Sequence, residues 1–418
     1  MKNRFSDNSN YVGYERLLKE LHLHLENGRN DTPDVDAVHD QMDDLEPRLS
    51  NEEIERLNGL SADLYMVNGK EILEPTDLTG QQLIQGLQDC YDQNDWDRLL
   101  RLLRTQNQPF SVDRVAYLRA RAYDELGHLD TALIFMEYAS AVKPDNKNYD
   151  YFIISYLSRL NQSDIAVQHA EQYIQAGNKS IDVRIQYAAL LFMKTQTLET
   201  EQRDPILRQA IQVVGPALQE VGLNANLPLP VLLLGFLTLG SCYEELSQFS
   251  EAIEAYSDAL RIDPNNMDAL TLRGILIAKS DWSRAIGDLE RVVENNISTI
   301  APYLYVAYNS LRRSDFARCI QICRRIEDMT DKVDTLAAIR QWTAISQYHL
   351  DVPMGTVIQN AQSAADFSPI NSLLQQTLTL FRSLDEGRRS AQPQPVDIHA
   401  LKIARHNPRS FLHLATAA

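Results

Sequence analysis

Residues 233–266 read LLGFLTLGSCYEELSQFSEAIEAYSDALRIDPNN, and this stretch decides the fold. Small residues and large rings recur in it at helical spacing: Leu239, Gly240 and Tyr243 on a first helix, Ala252, Tyr256 and Ala259 on a second, then Pro264. Gly240 and Ala252 fall where two antiparallel helices touch, and small side chains let the axes approach closely. Tyr243 and Tyr256 fill the wider spaces. Ala259 leaves room for the next helix to dock, and Pro264 stops the second helix because it cannot continue one. One such hairpin leaves an apolar face bare, so the pattern requires an array of stacked neighbours.

The stretch resembles the tetratricopeptide repeat (TPR), with Phe236 where that family has Trp and the residues above at its defining positions. A second match runs from Asp113 to Asn146, with Ala120, Tyr123, Ala132, Ala139 and Pro144 in register and Met136 where an aromatic is expected. Lys147 to Ser180 keeps Leu157, Ala166 and Tyr173 but has Asn178 in place of the terminal Pro. Ile181 lies 52 residues before Leu233, against about 34 for one repeat. That excess predicts an irregular, elongated unit over 181–232, with a long connection from Lys194 to Asp204 and an extra linker from Asn224 to Leu232.

Downstream, Met267–Asn296 is one residue short in its turn around Ser280 to Ser283, then Ile300–Met329 and Ala338–Asn371 follow. Ser372 to Leu384 reads as a closing helix, and Thr79–Phe110, with Gly86, Tyr91 and Trp96, as a weak first repeat. The resemblance covers residues 79–384. It implies an all-α solenoid of about eight helical hairpins wound as a right-handed superhelix.

The two ends differ from the array. Residues 1–9 are expected to be disordered, and 10–75 to form an acidic helical segment. There Leu17, Leu18, Leu21 and Leu25 share a helix face, Asp34–Leu45 is a short acidic helix, and Ser50 with Glu53 forms a capping box that starts a third. Met1–Leu78 holds 8 Lys and Arg against 18 Asp and Glu, a balance of −10 out of −17 for the whole chain. Residues 385–418, with Arg388, Arg389, Lys402, Arg405 and Arg409, read as a flexible, mildly basic tail.

Hydrophobic residues make up 44% of the 418, enough for a packed core. The acidic balance argues against nucleic acid as a partner, because phosphate neutralisation needs concentrated Lys and Arg. No charge falls between Glu220 and Glu244, yet the apolar part, Val231 to Leu239, is too short to span a bilayer, so no membrane insertion is expected. Four cysteines and no leader-like apolar run point to a cytoplasmic setting. No P-loop, GxGxxG, HExxH, GxSxG or CxxC motif occurs, so neither catalysis nor a cofactor is expected. Cys319 and Cys323 share a helix face, but neither has a His or further Cys within a turn, and no metal site is assigned to them.

In TPR proteins the first helix of each hairpin lines the concave surface, and its second, fifth, ninth and thirteenth positions contact a bound peptide or helix. The resemblance carries those roles onto Arg114, Tyr117, Arg121 and Glu125, then onto Asn148, Tyr151, Ser155 and Arg159. Guanidinium forks beside aromatic rings suit a carboxylate or an acidic peptide. The alternative is that these arginines pair with neighbouring Asp124 and Glu125. In later repeats the same face holds Leu237, Ser241, Thr271, Ile275 and Val306, an apolar row that suits an amphipathic helix. The sequence therefore reads as a non-catalytic scaffold or adaptor that binds a protein partner. The alternative is a regulatory subunit that self-associates as a homo-oligomer, or is autoinhibited, through its acidic N-terminal helices.

Overall fold

The computed structural model describes residues 8–26, 29, 32–71, 73–221 and 227–389. The chain forms two compact units, Met1–Gln209 with Gln219–Leu223, and Ala210–Leu218 with Asn224–Ala418. In the first, α1 (Ser9–Glu26), α2 (Pro33–Leu45) and α3 (Asn51–Val67) precede the pairs α4 (Gly80–Gln93) with α5 (Trp96–Leu103), α6 (Val112–Glu125) with α7 (Leu129–Val142), and α8 (Asn148–Arg159) with α9 (Ser163–Gln175), then α10 (Ile181–Thr195). Helix α11 (Thr200–Val221) is divided between the units. The second unit holds α12 (Leu229–Glu245) with α13 (Phe249–Ile262), α14 (Met267–Ala278) with α15 (Trp282–Glu294), α16 (Ile300–Arg312) with α17 (Phe316–Glu327), α18 (Val333–His349) with α19 (Met354–Phe367), and α20 (Ser372–Arg389). The described residues contain no strand, only an isolated bridge between Glu74 and Thr105.

Six of the hairpins are closed by the same backbone device. Asn94, Gly127, Asn161, Ser247, Ser314 and Asp351 adopt left-handed backbone in the turns of six hairpins. In each the following N–H reaches back five residues, as in His128 to the Tyr123 carbonyl and Gln248 to Tyr243, both at 2.8 Å. This is the Schellman ending, which satisfies carbonyls the helix leaves open. The turn that is one residue short, between α14 and α15, has no left-handed residue, and Asp281 N–H reaches back only four residues, to Ile277.

Small residues set the helix separation within a hairpin. A Cβ on Gly240 would lie 2.4 Å from the Tyr256 ring, and one on Gly274 2.7 Å from Leu289. Ala252, Ala259 and Tyr256 are wholly buried. The irregular unit differs from its expected form. The connection after α10 is short, and the extra length lies in α11, because the helix-favouring run Thr200–Arg203 extends the helix upstream of Pro205. Helix α12 starts at Leu229, inside the expected linker, with Pro230 in its first turn, where a missing N–H costs nothing. Helix α20 runs five residues past the expected Leu384. The basic tail beyond residue 389 lies outside the described residues, as do residues 1–7.

The N-terminal helices join the first unit through buried charge. The Ser50–Glu53 capping box opens α3, with Ser50 N–H on Glu53 Oε2 at 2.7 Å. From α3, Asp63 is wholly buried and receives Arg104 Nε and Nη2 at 2.8 and 2.7 Å and the Tyr123 hydroxyl at 2.6 Å. Arg119, also wholly buried, lies 3.2 Å from Asp63 and 3.2 Å from Glu71. At about 100° per residue, Arg119 and Tyr123 lie on the face of α6 opposite Arg114, Tyr117 and Arg121. The acidic helices therefore meet α6 away from the groove positions.

Two outcomes follow for stability. Gly240→Ala should destabilise the second unit by about 1–3 kcal/mol through overpacking against Tyr256, whereas Gly215→Ala, whose Cβ meets nothing within 4 Å, should be neutral or slightly stabilising. Urea melts of the two variants check this. Asp63→Leu should cost about 3–5 kcal/mol by stranding two guanidinium groups, and adding Arg119→Leu should restore part of that loss in the same melts.

Candidate functional site

Helices α6 and α8, first helices of adjacent hairpins, carry the arginine and aromatic row. Tyr149 anchors them to each other: its buried ring donates its hydroxyl to Asp113 Oδ2 at 2.7 Å, and burial followed by that carboxylate pushes the phenol up to about 12. With that contact fixed, the exposed Arg114 guanidinium lies over the Tyr117 ring at 4.7 Å. Tyr117 meets Phe152 edge-on at 5.5 Å, and Phe152 meets Tyr151 edge-on at 5.2 Å. Arg121 lies over Phe152 at 5.2 Å. The result is a half-buried shelf of rings with guanidinium groups above it, and cation–π contact holds those groups extended.

The arginines are not equivalent. Asp124 receives Arg159 Nη1 at 2.6 Å and Arg121 Nη1 at 3.3 Å, so one carboxylate bridges two guanidinium groups. Arg121 also reaches Glu125 at 3.5 Å. Arg114 makes no ion pair among the described residues. Burial, then the Asp124 charge, pushes the Tyr156 phenol beneath this cluster up. Ser155 is half-buried on the same face. The structure thus brings Arg114, Tyr117, Tyr151, Arg121 and Arg159 onto one surface. Phe152, which the periodic positions do not include, is the ring that joins them; its place one residue after Tyr151 was the available signal.

In the second unit the corresponding positions are more enclosed. Leu237 and Ile275 are half-buried and pack against its core, Thr271 is half-buried, and the Ser241 hydroxyl lies 3.3 Å from that of Tyr256. Val306, next in the row, is wholly buried. Trp282, Tyr305, Tyr308 and Trp342 pack ring on ring here, with centroids 5.2–5.6 Å apart.

Titratable and thiol groups elsewhere are held by packing. Cys319 and Cys323 are wholly buried with sulfurs 4.0 Å apart, and their mutual hydrogen bond and burial raise the Cys323 thiol. Burial pushes Cys242 up to about 12. Among the described residues no group of three or more His, Cys, Asp or Glu is placed to hold a metal ion, and no helix is long and apolar enough to cross a membrane.

On α1, Glu15 sits between Lys19 at 2.6 Å and His128 at 2.8 Å, and Lys19 also meets Asp130. Burial opposes the Glu15 charge, but the hydrogen bonds to His128 and Lys19 and the Lys19 charge outweigh it and hold the carboxyl down at about 2. His22 is buried edge-on to Tyr65; Asn68 donates to its Nδ1 at 3.2 Å, so Nε2 carries the proton and faces Ser61 at 3.3 Å. Burial holds His22 down at about 4.

These arrangements define a protein built of stacked antiparallel helical hairpins with an arginine and aromatic face on α6 and α8. The family profile described as tetratricopeptide repeat matches residues 235–266. DnaJ protein P58IPK homolog A from Oryza sativa subsp. japonica is 23% identical over 230 residues, 52% of this chain and 46% of that protein. The chain thus spans about half the length of this curated relative. Among solved structures, the APC/C hetero-tetramer Cut9–Hcn1 aligns with 16% identity and a TM-score of 0.40, covering 89% of this chain and 63% of that one. A tetratricopeptide repeat protein from Parabacteroides merdae aligns with 12% identity and a TM-score of 0.36, covering 72% and 98%.

The N-terminal helices should loosen in acid. The unfolded segment takes a proton on His22 below its ordinary value of 6.5, which the folded segment refuses down to about 4. Glu15 stabilises the fold above its ordinary 4.5, and that contribution is lost as pH falls toward about 2. Both effects have one sign, so hydrogen exchange in residues 9–26, corrected for intrinsic rates, should accelerate as pH drops from 7 to 4. His22→Gln should remove the upper part of that change; an identical profile in the variant would show that His22 does not drive it.

Proposed function

We propose that the chain is a non-catalytic protein-interaction scaffold whose groove on α6 and α8 takes an extended or helical segment of a partner protein. The observation that carries this is the pair of guanidinium groups, Arg114 and Arg121, held over the linked rings of Tyr117 and Phe152. Rings give apolar contact area at low conformational cost, and guanidinium forks read carboxylates in two-pronged geometry. Tyr151, Ser155 and Arg159 extend the surface, and Leu237, Ser241, Thr271 and Ile275 supply a second, less open row in the other unit. Fold alone assigns no function, so the reading rests on this surface.

The test is affinity capture from a lysate with the wild-type chain and with the double change Arg114→Glu, Arg121→Glu, bound proteins being identified by mass spectrometry. A partner present with the wild type and lost with the variant, at unchanged helicity, is the expected result. A partner retained by the reversed charges overturns the assignment of this groove.

A further inference from the structure

Taking the groove reading above as its basis, we infer that Asp124 is a resident competitor for the groove's arginines, so that the partner segment presents one carboxylate beside a planar apolar side chain rather than a run of acids. Three arginines on one surface would ordinarily suit a polyacidic ligand. Here Asp124 already occupies two of them, at 2.6 Å from Arg159 and 3.3 Å from Arg121. With Glu125 also at Arg121, that end of the groove is close to neutral. A second carboxylate arriving there meets Asp124 as a like charge and must displace it.

Arg114 is different. Its nearest acid in sequence, Asp113, is 5% exposed and held by the Tyr149 hydroxyl and, at 3.9 Å, by Lys143. Arg114 therefore keeps its charge available while its plane is fixed over Tyr117. Between Arg114 and Arg121 the surface consists of Tyr117 and Phe152. Seven residues of helix rise about 10.5 Å, which an extended peptide spans in about three residues. A carboxylate on Arg114 thus places the side chain one or two positions further along over the rings.

Two labelled heptapeptides test this by fluorescence anisotropy with the full chain: one with a single glutamate and a phenylalanine two residues on in a Gly/Ser background, and one built on hexaglutamate. The wild type should prefer the first. Asp124→Asn should raise hexaglutamate affinity by about tenfold by freeing two charge-assisted contacts, and Arg114→Gln should weaken the first peptide by about tenfold. Asp124→Ser, with circular dichroism of every variant, guards against a folding artefact.

If Arg114→Gln weakens binding but neither Asp124 variant moves hexaglutamate, the competitor role is wrong and the groove stands. Preference of the wild type for hexaglutamate overturns the inference as well. If neither peptide binds the wild type, the groove reading falls and this inference with it.

Discussion

Close approach of the two helices in each hairpin is the constraint on which the rest depends. At Gly240 and Gly274 no room exists even for a methyl group, and the alanines facing them are wholly buried. That approach lets Tyr256 in one hairpin, and the stacked pair Tyr123 and Phe135 in another, fill the remaining space. It also fixes rotation of each helix about its axis. Once Ala120 and Tyr123 must face inward, Arg114, Tyr117 and Arg121 share the opposite surface. The groove row is a by-product of core packing rather than an independent construction.

Departures from the apolar pattern are answered by charge. Where the best-matching repeat has Leu239, immediately before its glycine, the corresponding places hold Arg119 and Arg273. Arg273 is gripped by both oxygens of Asp288, at 2.8 and 2.9 Å, and Arg119 by Asp63 and Glu71. A buried apolar side chain accepts any apolar neighbour, but a buried guanidinium tolerates only one that brings carboxylates. Arg119 therefore requires a neighbour that brings carboxylates, and α3 supplies Asp63. The acidity of the N-terminal segment is partly consumed in that contact.

What the sequence made legible follows the reach of its signals. Hairpins were readable because small and large residues recur at helical spacing, and the shortened turn near Ser280 appears as the loss of one left-handed residue. The long α11 was not, because spacing counts residues and cannot tell a long loop from a continued helix. Asp63 and Arg119 lie too far apart for any local periodicity to pair them. On α6 and α8 the repeat positions carried over by resemblance share a face, and the pairing of Arg121 with Asp124 and Glu125 was one of the two readings open there; Phe152 enters through side-chain reach, which helix spacing does not encode.

The local balance of charge, not the total, governs what the groove can attract. The chain carries −17 overall, yet charges beyond about 8 Å are largely screened at physiological ionic strength. Arg121 and Arg159 are paired with Asp124 and Glu125, while Arg114 makes no ion pair among the described residues. An approaching acidic segment therefore meets one uncompensated positive end and one neutral end, separated by rings. On the proposed reading such an asymmetric surface would orient an extended ligand along the helices, because reversing the ligand would move its carboxylate from Arg114 toward Asp124.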